Sequence, residues 1–526
     1  MLACLLEPGF GQTVVNMLAS KLVVVSALLS TSLTVNAVDV SIKNQPEQTI
    51  TSFGASGAWW PNDVIHFPAD ARTKLGDLLF SKNGLHLSSY RYNMGADGGN
   101  DSKQVTNPQR VVESFMRTDG TYDFSRDHAG VTFLQMAQSY AVPYITFFIN
   151  AAPSHIADNH QACGWNLTEA KIPAFADYIK TVLSYWKNDG VNVAYISPVN
   201  EPDNPRGDCG QEGMAVHPQD RTPVFKALKS ALGATVASSV GIIGDETSQI
   251  VTQAGIEDPV WLPSSAPYLS NIAVHNYDYP TDAELALYYD QTLSLTNGHP
   301  PPIKFTESCC ATAAGSGSGV FGQLYDPTMV NALIVARYVW QFLALANAQS
   351  FDWWTAVTNL PCSPSVDGAQ CATAVNRTAG YNDGLVYIDP NYNQTHDYSF
   401  YPTKRAFAVK HFSYFIRPGS VRYDVDGSSL PVGVEALATR SSTRRNGRGA
   451  SVPLWNVLFL NNQTSTQAIT LRLPGGHAKM QNAVKTTPMD DWTTVKPLPA
   501  VNHRQQTVQF TLPPQSMWSM QFTTDK

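Results

Sequence analysis

The stretches AYISPVNEPD (194–203) and PIKFTESCC (302–310) indicate the fold of this chain. Each begins as a short apolar, β-branched run typical of a buried parallel strand, and each carries a glutamate, Glu201 or Glu307, where that strand would enter a loop. Barrel enzymes place their catalytic groups at this end of their strands. An isolated glutamate after an apolar run is more often an exposed loop residue, so its neighbours have to support a role.

Outward from these two stretches, short apolar runs alternate with longer segments that suit helices, such as 171–187 and 328–347. Eight repeats of this kind predict an α/β fold, a (β/α)8 barrel over residues 51–414. The runs predict strands near 51–57, 86–93, 142–149, 193–199, 240–244, 271–276, 302–306 and 350–355.

After about residue 415 the pattern changes to polar–apolar alternation broken by Gly, Asn and Pro, as in NVLFLNN (456–462) and TVQFTL (507–512). Such alternation predicts a β-sandwich over residues 415–526. The segment 38–50 precedes the first barrel strand and is expected to add an edge strand to this β-sandwich. We therefore expect a C-terminal β-sandwich side domain packed against the barrel.

The composition is that of a globular protein of low charge. The 526 residues are 43% hydrophobic and only 15% charged, which excludes a disordered chain. The net charge is −7, and no lysine or arginine stripe is present, so the chain is not a general nucleic-acid binder.

Residues 1–37 resemble a secretory leader. From Met17 the text is MLASKLVVVSALLSTSLTVNA, with one lysine, a short apolar run, and Val35 and Ala37 at the −3 and −1 positions of a cleavage site. A membrane anchor is the alternative, but the run is shorter than the ~20 residues that a spanning helix needs. We expect a secreted, extracellular protein whose signal peptide starts at Met17, although the sixteen residues before it do not fit the usual start.

Removal of this leader leaves six cysteines, an even number that suits an oxidising compartment. The favoured pairs are Cys362 with Cys371 and Cys163 with Cys209, which leaves Cys309 and Cys310 as a vicinal bridge or as buried thiols. A zinc site is the weaker alternative, because neither CxxC pairs nor HExxH occurs. Five N-x-S/T sequons also fit a secreted glycoprotein, at Asn100, Asn166, Asn376, Asn393 and Asn462.

Seven motifs resemble, in the same order, those of the secreted glycoside hydrolases of family 30 in clan A. The similarity is greatest to fungal-type endo-β-1,6-galactanase-like members, and the IRPGSVR junction between barrel and side domain is the most specific of the motifs. They are FGASGAWW (53–60), SYRYNMG (89–95), PVNEPD (198–203), AVHNY (273–277), FTES (305–308), FDWW (351–354) and FSYFIRPGSVR (412–422).

The resemblance implies a retaining O-glycosyl hydrolase with Glu201 as acid/base and Glu307 as nucleophile. Retention would require the carboxyl groups of these two residues to lie ~5–5.5 Å apart across the barrel mouth. Arg91, at the end of the second strand, is the natural cation for the nucleophile, with a structural ion pair as the alternative. Asn200 is a candidate for bonding the sugar 2-hydroxyl.

The sugar platform and its supports are expected at other strand ends. His275 and Tyr277 match the family's H-x-Y motif, and Tyr277 is a candidate donor to the nucleophile. Aromatic rings at strand ends can stack on sugars, although most tryptophans are core residues. The candidates are Trp59, Trp60, Tyr92, Trp353 and Trp354, with Trp353 the first choice because it matches the family's strand-eight tryptophan.

The substrate is narrowed by one departure from the family pattern. Glucosylceramide-cleaving members have an aspartate where this chain reads SGAWW (56–60), and this paired tryptophan resembles the endo-β-1,6-galactanases. β-1,6-Galactan of arabinogalactan side chains is therefore the expected substrate, with β-1,6-glucanase, xylanase or exo-β-glycosidase activity as alternatives.

Two readings of other classes stand beside the hydrolase. One is a non-catalytic glycan-binding protein, which usually lacks one of the two carboxylates that this chain keeps. The other is a nucleotide-binding enzyme, from GSGVFG (317–322), which does not follow a first strand as such a motif should. We expect a monomer with a saccharide partner, no metal or organic cofactor, and no nucleic-acid or membrane partner.

Overall fold

In the computed structural model, eight short parallel strands close into a barrel in chain order, as the sequence predicts. Each strand pairs with its chain neighbours, and the eighth pairs with both the seventh and the first. The strands are Ser52–Ser56, Ser89–Asn93, Tyr144–Phe148, Val193–Ser197, Gly241–Thr247, Asn271–His275, Ile303–Glu307 and Ser350–Trp353.

The structure describes residues 37–97, 105–233, 235–312, 320–444 and 451–524. The expected signal peptide, the sequon at Asn100 and the first half of the GSGVFG stretch lie outside these residues. Within them, no helix combines the length and the apolar character that crossing a bilayer requires.

Helices connect the strands and surround the barrel. The two helices expected at 171–187 and 328–347 are confirmed, as Ile172–Asn188 and Met329–Ala344, and each buries an apolar face against the strands. The helices of eight or more residues are Ala69–Phe80, His128–Ser139, Ile172–Asn188, Pro218–Leu232, Asp258–Ser265, Asp282–Leu295, Met329–Ala344 and Lys404–Phe415. Short helices cover Pro61–Val64, Ile250–Ala254, Pro364–Asp367 and Tyr392–Thr395.

Disulfides and small sheets hold the loops at the C-terminal end of the barrel. Cys163–Cys209 joins the loops after the third and fourth strands, and Cys362–Cys371 closes a turn after the eighth. Both favoured pairings are thus confirmed. Cys309–Cys310, just after the seventh strand, form the vicinal bridge rather than two free thiols. The loop strands are Trp165–Asn166, Met214–Ala215, Val357–Asn359, Val386–Ile388 and Tyr401–Pro402.

The side domain is one ten-stranded, mostly antiparallel sheet that folds over on itself. The strand Thr507–Leu512, which carries Phe510, is five strand pairings away from Ser451–Asn461, which carries Phe459. The rings of these two residues nevertheless lie 5.2 Å apart. Strands in a flat sheet are ~4.8 Å apart, so only two facing layers allow this contact. The strands are Val38–Ile50, Ser420–Asp426, Val434–Arg444, Ser451–Asn461, Gln467–Arg472, Lys479–Thr486, Thr493–Thr494, Val501–Asn502, Thr507–Leu512 and Ser516–Thr523.

The two ends of the chain meet in this sheet. Val38–Ile50 pairs antiparallel with Ser420–Asp426 and parallel with Gln467–Arg472, so it joins the side domain as expected but as an interior strand rather than an edge strand. The last barrel helix, Lys404–Phe415, runs into the sheet without a linker, and its His411 is buried between the hydroxyls of Ser519 and Thr486. Side-domain apolar residues such as Leu458 belong to the barrel's hydrophobic core.

Candidate active site

The C-terminal ends of the barrel strands surround a cavity of about 490 Å³, which contains Glu201 and Glu307. The C-terminal ends of all eight strands, or the loops that follow them, contribute to its wall, so residues far apart in sequence converge there. A cavity of about 560 Å³ lies at the opposite end of the barrel, and its described lining contains no carboxylate. The acidic end is therefore the candidate active site, as expected for a barrel enzyme.

Glu201 and Glu307 face each other across this cavity. Each is only 5% exposed, and oxygens of the two carboxylates together with one ring nitrogen of His275 all lie within 4.8 Å of one another. Glu307 is the last residue of the seventh strand, whereas Glu201 lies four residues beyond the fourth, in the left-handed region with φ 47°. Its backbone N–H donates to the carbonyl of Glu246 at 3.1 Å, which fixes this turn to the fifth strand.

Arg91 organises the floor of the site. Its fully buried guanidinium donates to Glu307 at 2.9 Å, to Glu246 at 3.2 Å and to the side-chain oxygen of Asn200 at 3.4 Å. Tyr277 donates its hydroxyl to the other oxygen of Glu307 at 2.8 Å. Two donors thus orient Glu307 and stabilise a negative charge on it. The structure brings together the residues expected around the nucleophile.

Glu246, which the sequence analysis missed, is a third carboxylate beneath the pair. It is fully buried at the end of the fifth strand, where Nε2 of His275 lies 2.7 Å and the Thr306 hydroxyl 2.6 Å from the same carboxylate oxygen. Burial opposes its ionisation, but the charge of Arg91 and the bonds from His275 and Thr306 lower its pKa to about 2. The text GIIGDET (241–247) contains the signal, an acid at a strand end.

His275 is the cation shared by all three carboxylates. Its Nδ1 lies 3.4 Å from an oxygen of Glu201 and 3.8 Å from one of Glu307, while Nε2 faces Glu246. Burial opposes protonation, but the charge of Glu307 and the contacts with Glu201 and Glu246 outweigh it and raise the pKa of His275 to about 10. The ring is therefore an imidazolium at neutral pH.

Arg206, also missed from sequence, contacts Glu201 directly from the loop after the fourth strand. Burial would raise the pKa of Glu201, but the bond from His275 and the charge of Arg206 lower it below its ordinary value. The loop that carries Arg206 is closed by Cys209 and its disulfide to Cys163. Without a ligand, Glu201 is therefore an ionised carboxylate paired with two cations.

The comparisons with known proteins place this arrangement in a family. The family model described as O-Glycosyl hydrolase family 30 matches residues 37–365. The chain belongs to this family. It is therefore an O-glycosyl hydrolase with a carbohydrate substrate. No curated protein sequence matches it.

Solved structures share the whole architecture of this family 30 hydrolase. A conserved exported protein of Bacteroides fragilis is 21% identical, with a TM-score of 0.74, covering 92% of this chain and 99% of its own. The catalytic domain of xylanase C from Talaromyces cellulolyticus is 19% identical, with a TM-score of 0.67, covering 92% and 100%. An endo-β-1,6-glucanase is 14% identical, with a TM-score of 0.63, covering 92% and 94%. At these identities the likeness shows the fold.

The aromatic candidates of the family 30 hydrolase divide into two groups. Trp59 and Trp354 line the cavity, and their rings meet edge to face at 4.8 Å. Trp353, the first choice from sequence, is instead 1% exposed, stacks on Phe351 and donates its indole N–H to a backbone carbonyl. It still lies within the eighth strand, whereas Trp354 lies just past it and reaches the opening.

Trp60 and Tyr92 are also core residues rather than cavity residues. Trp60 is 3% exposed, packs on Phe133 and bonds the carbonyl of Ser56, whereas Tyr92 is buried against Phe147 and Asp127. The expectation that they contribute to the sugar platform is therefore not supported by their positions.

The three groups Glu201, His275 and Glu307 are close enough to hold a metal ion. The chemistry of the donors does not favour one. Arg91, Arg206 and the protonated ring of His275 already supply three positive charges to these oxygens, and an imidazolium has no lone pair for a metal.

Proposed function

We propose that this protein is a secreted retaining glycosidase that cleaves a β-linked polysaccharide by double displacement. The observation that supports this most is the spacing of the two carboxylates, whose oxygens approach within 4.8 Å. Retaining enzymes need about 5–5.5 Å between their carboxyl groups, whereas inverting enzymes need about 6.5–9.5 Å to admit a water. The close approach of the two carboxylates supports the retaining mechanism over the inverting one.

In the proposed first step, Glu307 attacks the anomeric carbon while Glu201 protonates the departing glycosidic oxygen. A C–O bond forms to Glu307, and the bond to the leaving sugar breaks as it takes the proton. In the second step, Glu201 removes a proton from water, whose oxygen attacks the same carbon and releases Glu307. Arg91 and Tyr277 orient the nucleophile in both steps, and Asn200 is placed beside the acid for the sugar 2-hydroxyl.

The first step requires a protonated Glu201, which the contact with Arg206 opposes. We infer that substrate separates these two side chains. Arg206 is one-third exposed and lies on a loop, so it can move into solvent, whereas Glu201 is fixed by its buried position. Loss of this cation raises the pKa of Glu201, so that its carboxyl group can hold the proton that the first step requires.

For the substrate, we propose β-1,6-linked galactan. The paired tryptophan in SGAWW supports this choice, since Trp59 lines the cavity and meets Trp354 to form an aromatic wall suited to a sugar face. β-1,6-Glucanase and xylanase activities are the alternatives, and both occur among the solved structures of this fold.

Secretion of a monomer is part of the same proposal. Secretion, though not the monomeric state, is supported by the leader-like residues 17–37, by three disulfides, and by the likeness to an exported protein. The sequon residues Asn166, Asn393 and Asn462 are exposed, as glycosylation would need, and Asn376 is half-buried.

The test is incubation with defined oligosaccharides of β-1,6-galactose, β-1,6-glucose and β-1,4-xylose, with products separated by size. Release of short β-1,6-galactose oligomers is the expected result. Proton NMR in the first minutes should show the β-anomer, because two displacements restore the configuration. An initial α-anomer would refute retention, and binding without hydrolysis of any sugar would instead favour the non-catalytic glycan-binding protein.

A further inference from the structure

Two exposed aromatic rings lie in the active-site cavity beyond the residues used above. Of the Phe, Tyr and Trp side chains in the described part of the chain, the three most exposed are Phe321 at 53%, Tyr185 at 40% and Tyr381 at 37%. Phe321 and Tyr381 both line the cavity that contains the two carboxylates. An exposed ring on a concave polar surface costs free energy unless a ligand covers it, so this pair is a candidate binding surface.

The two rings form a wall next to the reaction centre. Their centroids are 5.9 Å apart with planes inclined at 37°, and the Phe321 ring meets the edge of Tyr277 at 6.0 Å. Tyr277 in turn donates its hydroxyl to Glu307. Only the ring of Tyr277 separates Phe321 from the nucleophile candidate Glu307. The neighbouring unit of a bound chain would lie at this position.

The backbone around the vicinal disulfide fixes both rings. The N–H of Cys310 donates to the carbonyl of Asn382 at 3.2 Å, and its own carbonyl accepts from Gly322 at 3.2 Å. These partners directly follow Tyr381 and Phe321. Cys310 has φ 69°, a conformation that L residues rarely adopt, and the covalent bridge to Cys309 restricts its movement. The backbone that carries the two rings is thus held in place before a ligand arrives, which lowers the entropy cost of binding.

We propose that Phe321 and Tyr381 form a second sugar subsite that binds a neutral hexopyranose next to the unit being cleaved. The C–H-rich face of a pyranose matches an aromatic wall, and the polar groups around the cavity suit its hydroxyls. This inference rests on the proposed function and deepens it, because such a subsite makes the enzyme specific for chains of at least two units.

The experiment measures binding and cleavage separately. In the Glu307→Gln background, calorimetry with β-1,6-galactotetraose, β-1,6-glucotetraose and β-1,4-xylotetraose gives the dissociation constant for each chain. Phe321→Ala and Tyr381→Ala should each weaken binding of the preferred chain by about fivefold, the size of an aromatic contact. Phe321→Tyr keeps the ring and should retain binding, and the matched control Tyr185→Ala removes an exposed ring remote from the cavity and should leave it unchanged.

The same variants are then made in the enzyme with Glu307 intact. They should lose more activity on the preferred tetrasaccharide than on the glycosyl fluoride of the same sugar, because fluoride as a leaving group occupies no second subsite. Unchanged tetrasaccharide binding in Phe321→Ala, or equal losses on both substrates, would overturn the subsite while leaving hydrolysis established. Weaker binding in the alanine variants of a protein that hydrolyses none of the chains would support the subsite and refute the proposed function. Absence of binding to all three chains would overturn the subsite.

Discussion

Glu246→Gln tests whether the third carboxylate holds the site together. The substitution keeps the shape of the side chain but removes its charge, which faces Arg91 at 3.2 Å and His275 at 2.7 Å. Breaking a buried ion pair by removing one partner costs about 3–5 kcal/mol, because the other charge is left buried without compensation. The unfolding entropy is about 2.1 cal/mol/K per residue, or about 1 kcal/mol/K for roughly 490 residues. Dividing the lost free energy by this entropy gives an expected fall in Tm of about 3–5 °C.

The pH dependence of this loss follows from the two shifted pKa values. Glu246, with a pKa of about 2, contributes stability above its ordinary 4.5 that is lost as pH falls through 2. His275, with a pKa of about 10, contributes stability below 6.5 that is lost as pH rises through 10, and part of it depends on Glu246. The difference in Tm between wild type and Glu246→Gln should therefore be largest between about pH 4.5 and 6.5.

Differential scanning calorimetry from pH 3 to 10 measures this difference directly. Glu169→Gln is the matched control, since Glu169 is exposed and its replacement should change stability by no more than about 0.5 kcal/mol. A Tm within 1 °C of wild type, or a loss that does not vary with pH, would refute the assigned ion pairs.

The remaining predictions concern the proposed roles and the domain interface. Glu307→Gln should abolish hydrolysis of every substrate, because an amide cannot form the glycosyl ester. Glu201→Gln should still cleave activated aryl glycosides, because their leaving groups need little protonation. Identical behaviour of the two variants would contradict the division of roles. Arg206→Met should raise the pKa of Glu201 and move the alkaline limb of the kcat/KM profile to higher pH, and an unmoved limb would show that Arg206 does not act on the acid. Truncation after residue 414 should give insoluble or inactive protein, because barrel and side domain share one core; a soluble, active 38–414 fragment would refute this.

The barrel could be predicted from sequence because each strand is a short, buried apolar run, and eight of them alternate with segments that suit helices. Glu201 and Glu307 were found by the same rule, as acids at strand ends. Glu246 lies two residues beyond the predicted end of the fifth strand, just as Glu201 does beyond the fourth, so the same rule could have found it. It was missed because none of the seven motifs that carry the resemblance covers residues 241–247.

Other parts of the site depend on three-dimensional packing that no local pattern encodes. Trp353 and Trp354 are adjacent and chemically identical, and only the point at which the strand leaves the barrel decides which one reaches the cavity. Arg206 lies in a loop whose path is fixed by the distant Cys163, so its contact with Glu201 has no signature in the sequence. Phe321 was also missed, because it follows a glycine-rich stretch whose composition is that of an ordinary loop.

His275 connects the stability of the site to its proposed chemistry. In the proposed first step, Glu201 gains a negative charge as it protonates the leaving group, and Glu307 loses one as it bonds to the sugar. Nδ1 of His275 lies 3.4 Å from the first carboxylate and 3.8 Å from the second, so one imidazolium faces the negative charge before and after the step. Glu246, which faces Nε2, keeps the ring of His275 protonated. The summed charge of Glu201, Glu307 and His275 is therefore the same before and after the proposed step.

This arrangement predicts that His275→Asn slows formation and hydrolysis of the glycosyl-enzyme alike, because the same counterion is lost from both. Stopped-flow measurements with a dinitrophenyl glycoside separate the two rates as a burst and a steady state. Loss of a charge-assisted contact of about 1.5–3 kcal/mol corresponds to a decrease of roughly 10- to 100-fold in each. Slowing of one step alone would mean that His275 serves a single carboxylate, and that the other draws its compensation from Arg91 or Arg206.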